Sequence, residues 1–124
     1  MKKASTPQEK RYMGKVAQLG CIKCFNNFVE IHHITTLRGY GARSSNYDVL
    51  PLCFAHHRGI VGIHTIGVKK WEANYGIQTD LLKQVKVVIY RNILEDIAPK
   101  YEAKKLGLNI KDIEDFILSF SLIL

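Results

Sequence analysis

All three cysteines of this 124-residue chain, Cys21, Cys24 and Cys53, and all five histidines, His32, His33, His56, His57 and His64, lie between positions 21 and 64. The residues after His64 contain neither type. Cys21-x-x-Cys24 brings two thiolates to one side of a tight turn, and Cys53-x-x-His56 repeats the same spacing with a sulfur and a nitrogen. Three sulfurs and one nitrogen form a Cys3His set that would close a tetrahedral structural zinc and leave no open position. Ordinary buried cysteines would not explain why both pairs share one spacing.

That assignment leaves His32, His33, His57 and His64 over, too many for one small structural role. His32 and His33 are consecutive on an expected strand, so their side chains point to opposite faces; one can bind a metal while the other faces a substrate. The adjacent pair His56 and His57 splits in the same way, one to zinc and its neighbour to a second site. His64 lies seven residues after His57, off the same helical face, and reaches that site only if the intervening Gly-Ile-Val-Gly segment folds back.

These side chains need a scaffold. Pro7 after Ser5-Thr6, with Tyr12, Val16 and Leu19 at near-helical spacing, predicts an amphipathic helix from about 7 to 18 that stops at Gly20 and delivers the chain to Cys21. Residues 28–35 are β-branched and aromatic and read as a strand. Residues 38–46, with two glycines and two serines, read as a loop, and Val49 to Leu52 as a second strand pairing with the first. A short helix is expected from Phe54 to about Ile60, and a segment over 66–76 carries Trp71 and Tyr75 four apart before Gly76. A helix over 79–97, with Leu82, Val85, Ile89 and Ile93 on one stripe, is closed by Pro99. The last helix begins after Asn109 and carries Ile110, Ile113, Ile117, Phe120 and Leu124. The fold class is α+β, one domain over 1–124: a ligand-bearing core at 21–77 and a helical scaffold at 78–124.

Composition narrows the function. A hydrophobic share of 47% with 23% charged residues is ordinary globular composition and excludes disordered or collagen-like chains. Residues 1–77 hold 11 Lys+Arg and 4 Asp+Glu, net +7, whereas 78–124 hold 7 of each. A positive field in the half that carries the ligand cluster suits a polyanion, and nucleic acid is the usual one. No apolar run reaches the roughly 18 to 20 residues of a membrane span, the N-terminus lacks a signal-peptide core, and the chain reads as cytoplasmic. An odd number of cysteines in a reducing compartment points to metal rather than disulfides. Zinc deaminase, H-E-x-x-H metalloprotease and Walker-type phosphate-loop motifs are absent from the sequence.

The order C-x-x-C, then E-I-H-H-I on a strand, a Gly-rich loop, and D-V-L-P-L-C-x-x-H-H running into a helix resembles the HNH (ββα-metal, His-Me finger) nuclease motif with a zinc-binding embellishment. The continuation through residue 77 is similar to the phage-encoded Ref recombination nuclease family. The resemblance implies a small ββα-metal core surrounded by an N-terminal helix and C-terminal helices. It implies a metal-dependent DNA endonuclease acting in a phage-infected or lysogenic bacterial host, with a RecA filament as partner.

Residue by residue, the resemblance makes His33 the general base and His32, His57 and His64 ligands of a catalytic divalent ion, Mg2+ or another. Asp48 stands where many relatives have the middle Asn of the motif, and Asn46 is its rival. Lys23, Arg38, Arg43 and Arg58 flank the constellation and could grip the DNA backbone. The alternative function is a non-catalytic, zinc-stabilised nucleic-acid-binding module.

Overall fold

A computed structural model describes residues 4–34 and 45–123, with side chains described up to residue 120. Arg38 and Arg43, two of the expected DNA contacts, lie outside the described residues. The chain is α+β: a two-stranded sheet set among helices. Helix α1 (Pro7–Ala17) starts where the sequence says it should. The Thr6 hydroxyl accepts from the Glu9 N–H and the Glu9 carboxylate accepts from the Thr6 N–H, so two otherwise orphaned donors are satisfied. Its buried face, Tyr12 and Val16, packs on the sheet.

Strands β1 (Glu30–His33) and β2 (Val49–Leu52) pair antiparallel with His32 opposite Leu50 and His33 opposite Val49. Ile34 N–H donates to the Asp48 carbonyl, making that pair hydrogen-bonded. Pairing alternates along an antiparallel ladder, so Pro51, opposite Ile31, falls at a non-hydrogen-bonded place where its missing N–H costs nothing. β1 is shorter than the expected 28–35, and β2 matches its expected span.

After β2 come two single-turn helices, α2 (Phe54–His57) and α3 (Ile63–Ile66), then α4 (Val68–Tyr75). The scaffold is α5 (Gln78–Leu94), α6 (Pro99–Lys105) and α7 (Ile110–Ile123). The expected helix over 79–97 ends three residues early, and α6 was not expected at all. Pro99 does not close α5, which ends at Leu94 with Glu95 as its C-cap; it opens α6 as its first residue, where a missing N–H is harmless. α5 packs against β2, α6 and α7. One core runs through Tyr12, Val16, Ile34, Leu50, Leu52, Trp71, Val85, Leu106 and Ile113, all buried. No helix among the described residues is long and apolar enough to cross a membrane.

Candidate metal centres

The first centre is built from two turns. At the end of α1 the chain turns through Cys21 to Cys24, where Phe25 adopts a positive φ of 62° and its N–H donates to the Cys21 carbonyl. β2 ends at Leu52; the next residue, Cys53, is the N-cap of α2, and one turn along that helix is His56. The ligand atoms of Cys21, Cys24, Cys53 and His56 lie within 4.8 Å of one another. His56 Nδ1 is 3.2 Å from Cys53 Sγ and 3.7 Å from Cys21 Sγ, and Cys24 Sγ is 3.7 Å from Cys53 Sγ.

The imidazole of His56 is held from behind. Trp71 Nε1 donates to the His56 carbonyl at 3.0 Å, and the Tyr75 ring meets the His56 ring edge-on. Burial pushes the His56 pKa down, and the nearby charge of Lys23 adds to this. A neutral imidazole keeps the lone pair that a metal needs. Burial raises the Cys21 thiol, but N–H donors from Cys53, Lys23 and Cys24 outweigh it and hold the group below its ordinary value. The Asn26 N–H lowers Cys24, yet burial and the adjoining Cys21 and Cys53 sulfurs leave it raised. Sulfurs that hold one neighbour protonated because they crowd each other are the groups a cation between them would relieve. The donor set therefore fits a metal ion such as zinc.

The second centre shares α2 but uses its next residue. The ligand atoms of His32, His57 and His64 also lie within 4.8 Å of one another. His64 enters because the segment after α2 does fold back: Gly62 N–H donates to the Gly59 carbonyl, and a Cβ on Gly62 would sit 2.5 Å from the backbone carbon of His57. Only glycine fits so close an approach. The result is a His64 Nε2 to His57 Nε2 distance of 3.0 Å. Two imidazole lone pairs this close repel unless a proton or a cation lies between them.

Partners behind two of these rings fix which nitrogen is free. The Glu30 carboxylate, two residues before His32, accepts from His57 Nδ1 at 2.8 Å and also from Arg58 Nε at 2.8 Å, with a second contact to Arg58 Nη2. Hydrogen bonds from Arg58 and then His57 hold the Glu30 carboxyl down at about 2. The Gln78 side-chain oxygen accepts from His32 Nε2 at 2.8 Å. Burial drives the His32 pKa down to about 4; the Gln78 bond opposes this, and His57, His64 and His33 add to it. Burial also lowers His64, helped by His57 and Arg58. His32 and His64 are thus disposed to be neutral at pH 7, the form in which imidazole binds metal.

His33 projects from the other face of β1, as adjacency on a strand requires. Its Nε2 is 2.8 Å from Asn46 Oδ1, and Asn46 Nδ2 in turn donates to Ser5 Oγ at 3.2 Å. Asp48, expected beside His33, is instead engaged by Lys86 of α5 at 3.2 Å. The two residues are only two apart, but the chain at 46–48 turns into β2 and sends the side chains different ways. Lys23 is half-buried beside the sulfur cluster, and Arg58 is exposed at the rim of the imidazole cluster, neutralised by Glu30. Glu30 and Gln78 were not singled out from sequence. Glu30 could have been, since it shares a strand face with His32; nothing local marks Gln78, which is brought in by tertiary packing.

Residues 1–90 match the family described as protein of unknown function (DUF968), and the chain belongs to that family. The matched region contains every ligand of both clusters, together with Glu30, His33, Asn46 and Gln78. No curated protein matches the chain.

Proposed function

We propose that this chain is a metal-dependent DNA endonuclease of the HNH type, stabilised by a structural zinc at Cys21, Cys24, Cys53 and His56. The observation that carries the reading is that adjacent residues of β1 supply a three-imidazole cluster, through His32, and a His33–Asn46 pair. The β1–β2–α2 order supplies the ββα succession that the resemblance implies.

An amide oxygen only accepts, so His33 Nε2 carries the hydrogen and Nδ1 the lone pair in the neutral ring. His33 Nδ1 takes a proton from water, the resulting hydroxide attacks phosphorus in line, and the P–O3′ bond breaks, its oxygen gaining a proton from solvent. Asn46, anchored on Ser5, keeps the ring from rotating. A divalent ion held by His32, His57 and His64 would supply Lewis-acid stabilisation of a phosphate oxygen and the leaving oxygen. Three nitrogens without a carboxylate oxygen favour a transition ion over Mg2+. Lys23 beside the sulfur cluster and Arg58 beside the imidazole cluster would meet the phosphate backbone, contacts that add affinity without sequence information. A RecA filament as partner belongs to this reading through the resemblance alone.

The test is incubation of zinc-loaded protein with plasmid and single-stranded DNA plus Mn2+, Ni2+ or Mg2+, beside His33→Ala. The wild type should cleave and the variant should lose about 100- to 10,000-fold in rate. Equal cleavage by both removes His33 as the base. Binding without cleavage under every metal leaves the zinc-stabilised nucleic-acid-binding module.

A further inference from the structure

Gln78 is the first residue of α5 and is fully buried. Its backbone N–H is taken by Glu72 Oε2 of α4 at 2.8 Å, which fixes the start of α5 against the preceding helix. Its side-chain oxygen meets His32 Nε2, while its side-chain nitrogen has no partner among the described residues. A buried amide nitrogen without a partner is unfavourable. Leu or Met would fill the same volume without one. What glutamine adds is an acceptor aimed at His32, and it does for His32 what the Glu30 carboxylate does for His57.

We infer that Gln78 is a positioning residue for the three-imidazole site, holding His32 with its hydrogen on Nε2 so that Nδ1 is the nitrogen offered to a divalent ion. This rests on the proposed reading of that cluster as a metal site. Metal-bound histidines usually donate their other ring N–H to an acceptor that fixes tautomer and orientation, and loss of such an acceptor weakens binding. The helical scaffold then does more than pack: its first buried residue reaches across to the sheet and sets the geometry of the ligand that β1 supplies. Glu72, by holding the Gln78 backbone, sets where that reach begins.

The experiment uses the full chain with one zinc already at the cysteines, and Zn2+ as the probe for the second site. Uptake of a second equivalent is followed by calorimetry, and histidine ring nitrogens by nitrogen-15 NMR before and after that equivalent. In the wild type a protected His32 Nε2–H is expected before it and a zinc-bound His32 Nδ1 after it. Gln78→Met, which keeps the volume and removes the acceptor, should lose the protected proton and bind the second zinc about 10- to 100-fold more weakly. Gln78→Glu keeps an acceptor and should restore affinity toward the wild-type value, which a merely space-filling role would not do. Zinc on His32 Nε2, or wild-type affinity in Gln78→Met, overturns the inference alone. Failure of the wild type to take a second equivalent, with the His32 proton still protected, overturns the metal reading of the cluster instead.

Discussion

His57 and His64 bring their Nε2 atoms within 3.0 Å although seven residues separate them, and the fold-back at Gly62 is what closes the gap. A Cβ at that position would meet the His57 carbonyl carbon at 2.5 Å, so Gly62→Ala must push α3 away from α2. The expected cost is about 1 to 3 kcal/mol of stability, as for other overpacked sites. The variant should keep the zinc at the cysteines and lose the second ion. Metal content per chain after dialysis, read beside the thermal midpoint, checks both halves.

Removing the zinc ligands should act on folding rather than on chemistry. Cys53 is at once a member of the sulfur cluster and the N-cap of α2, one residue past the end of β2. Cys53→Ala, or a strong chelator applied to the wild type, should release zinc and unfold the segment that carries His56 and His57. Far-ultraviolet circular dichroism and protease susceptibility measure this; a chain that keeps its wild-type thermal midpoint after full zinc loss would show that the centre is not structural.

Asn46 and Asp48 should separate cleanly. Asn46→Ala leaves the His33 ring without its acceptor and should slow cleavage on the order of 100-fold, the scale of a misplaced catalytic group. Asp48→Asn breaks a partly screened pair with Lys86 and should cost about 1 kcal/mol or less of stability while leaving the cleavage rate near wild type. Initial rates on plasmid and denaturant midpoints for the two variants make the comparison.

Trp71 backs the cysteine–histidine cluster by donating its ring N–H to the His56 carbonyl. Trp71→Phe removes that donor and leaves a part-buried carbonyl short of a protein partner, at a cost of about 1 kcal/mol. Zinc competition with a chromophoric chelator should show faster release from the variant than from the wild type.

Much of this arrangement is legible in the sequence because the governing periods are local. Both x-x spacings, the helix start at Pro7 and the alternation that splits His32 from His33 depend on neighbours within a turn or a strand, and they appear where expected. The partners of His33 and His32 are harder, because Asn46, Asp48 and Gln78 are decided by how a loop and a distant helix pack. The resemblance offered Asp48 with Asn46 as its rival; the turn into β2 hands the Asp48 carboxylate to Lys86 and His33 to Asn46. α6 was hidden for a different reason, since a proline reads as a helix stop, whereas Pro99 starts a helix and α5 has already ended at Leu94.

Two metal centres would share α2, with His56 facing the cysteines and His57 facing His32 and His64. Anomalous diffraction at the zinc edge from crystals of the full chain grown with excess zinc tests it most directly. Two peaks are expected per chain, one about 2.3 Å from the three sulfurs and about 2.0 Å from His56 Nδ1, the other among the three remaining imidazoles. A single peak, or a sulfur-bound peak ligated by His57 in place of His56, would contradict it.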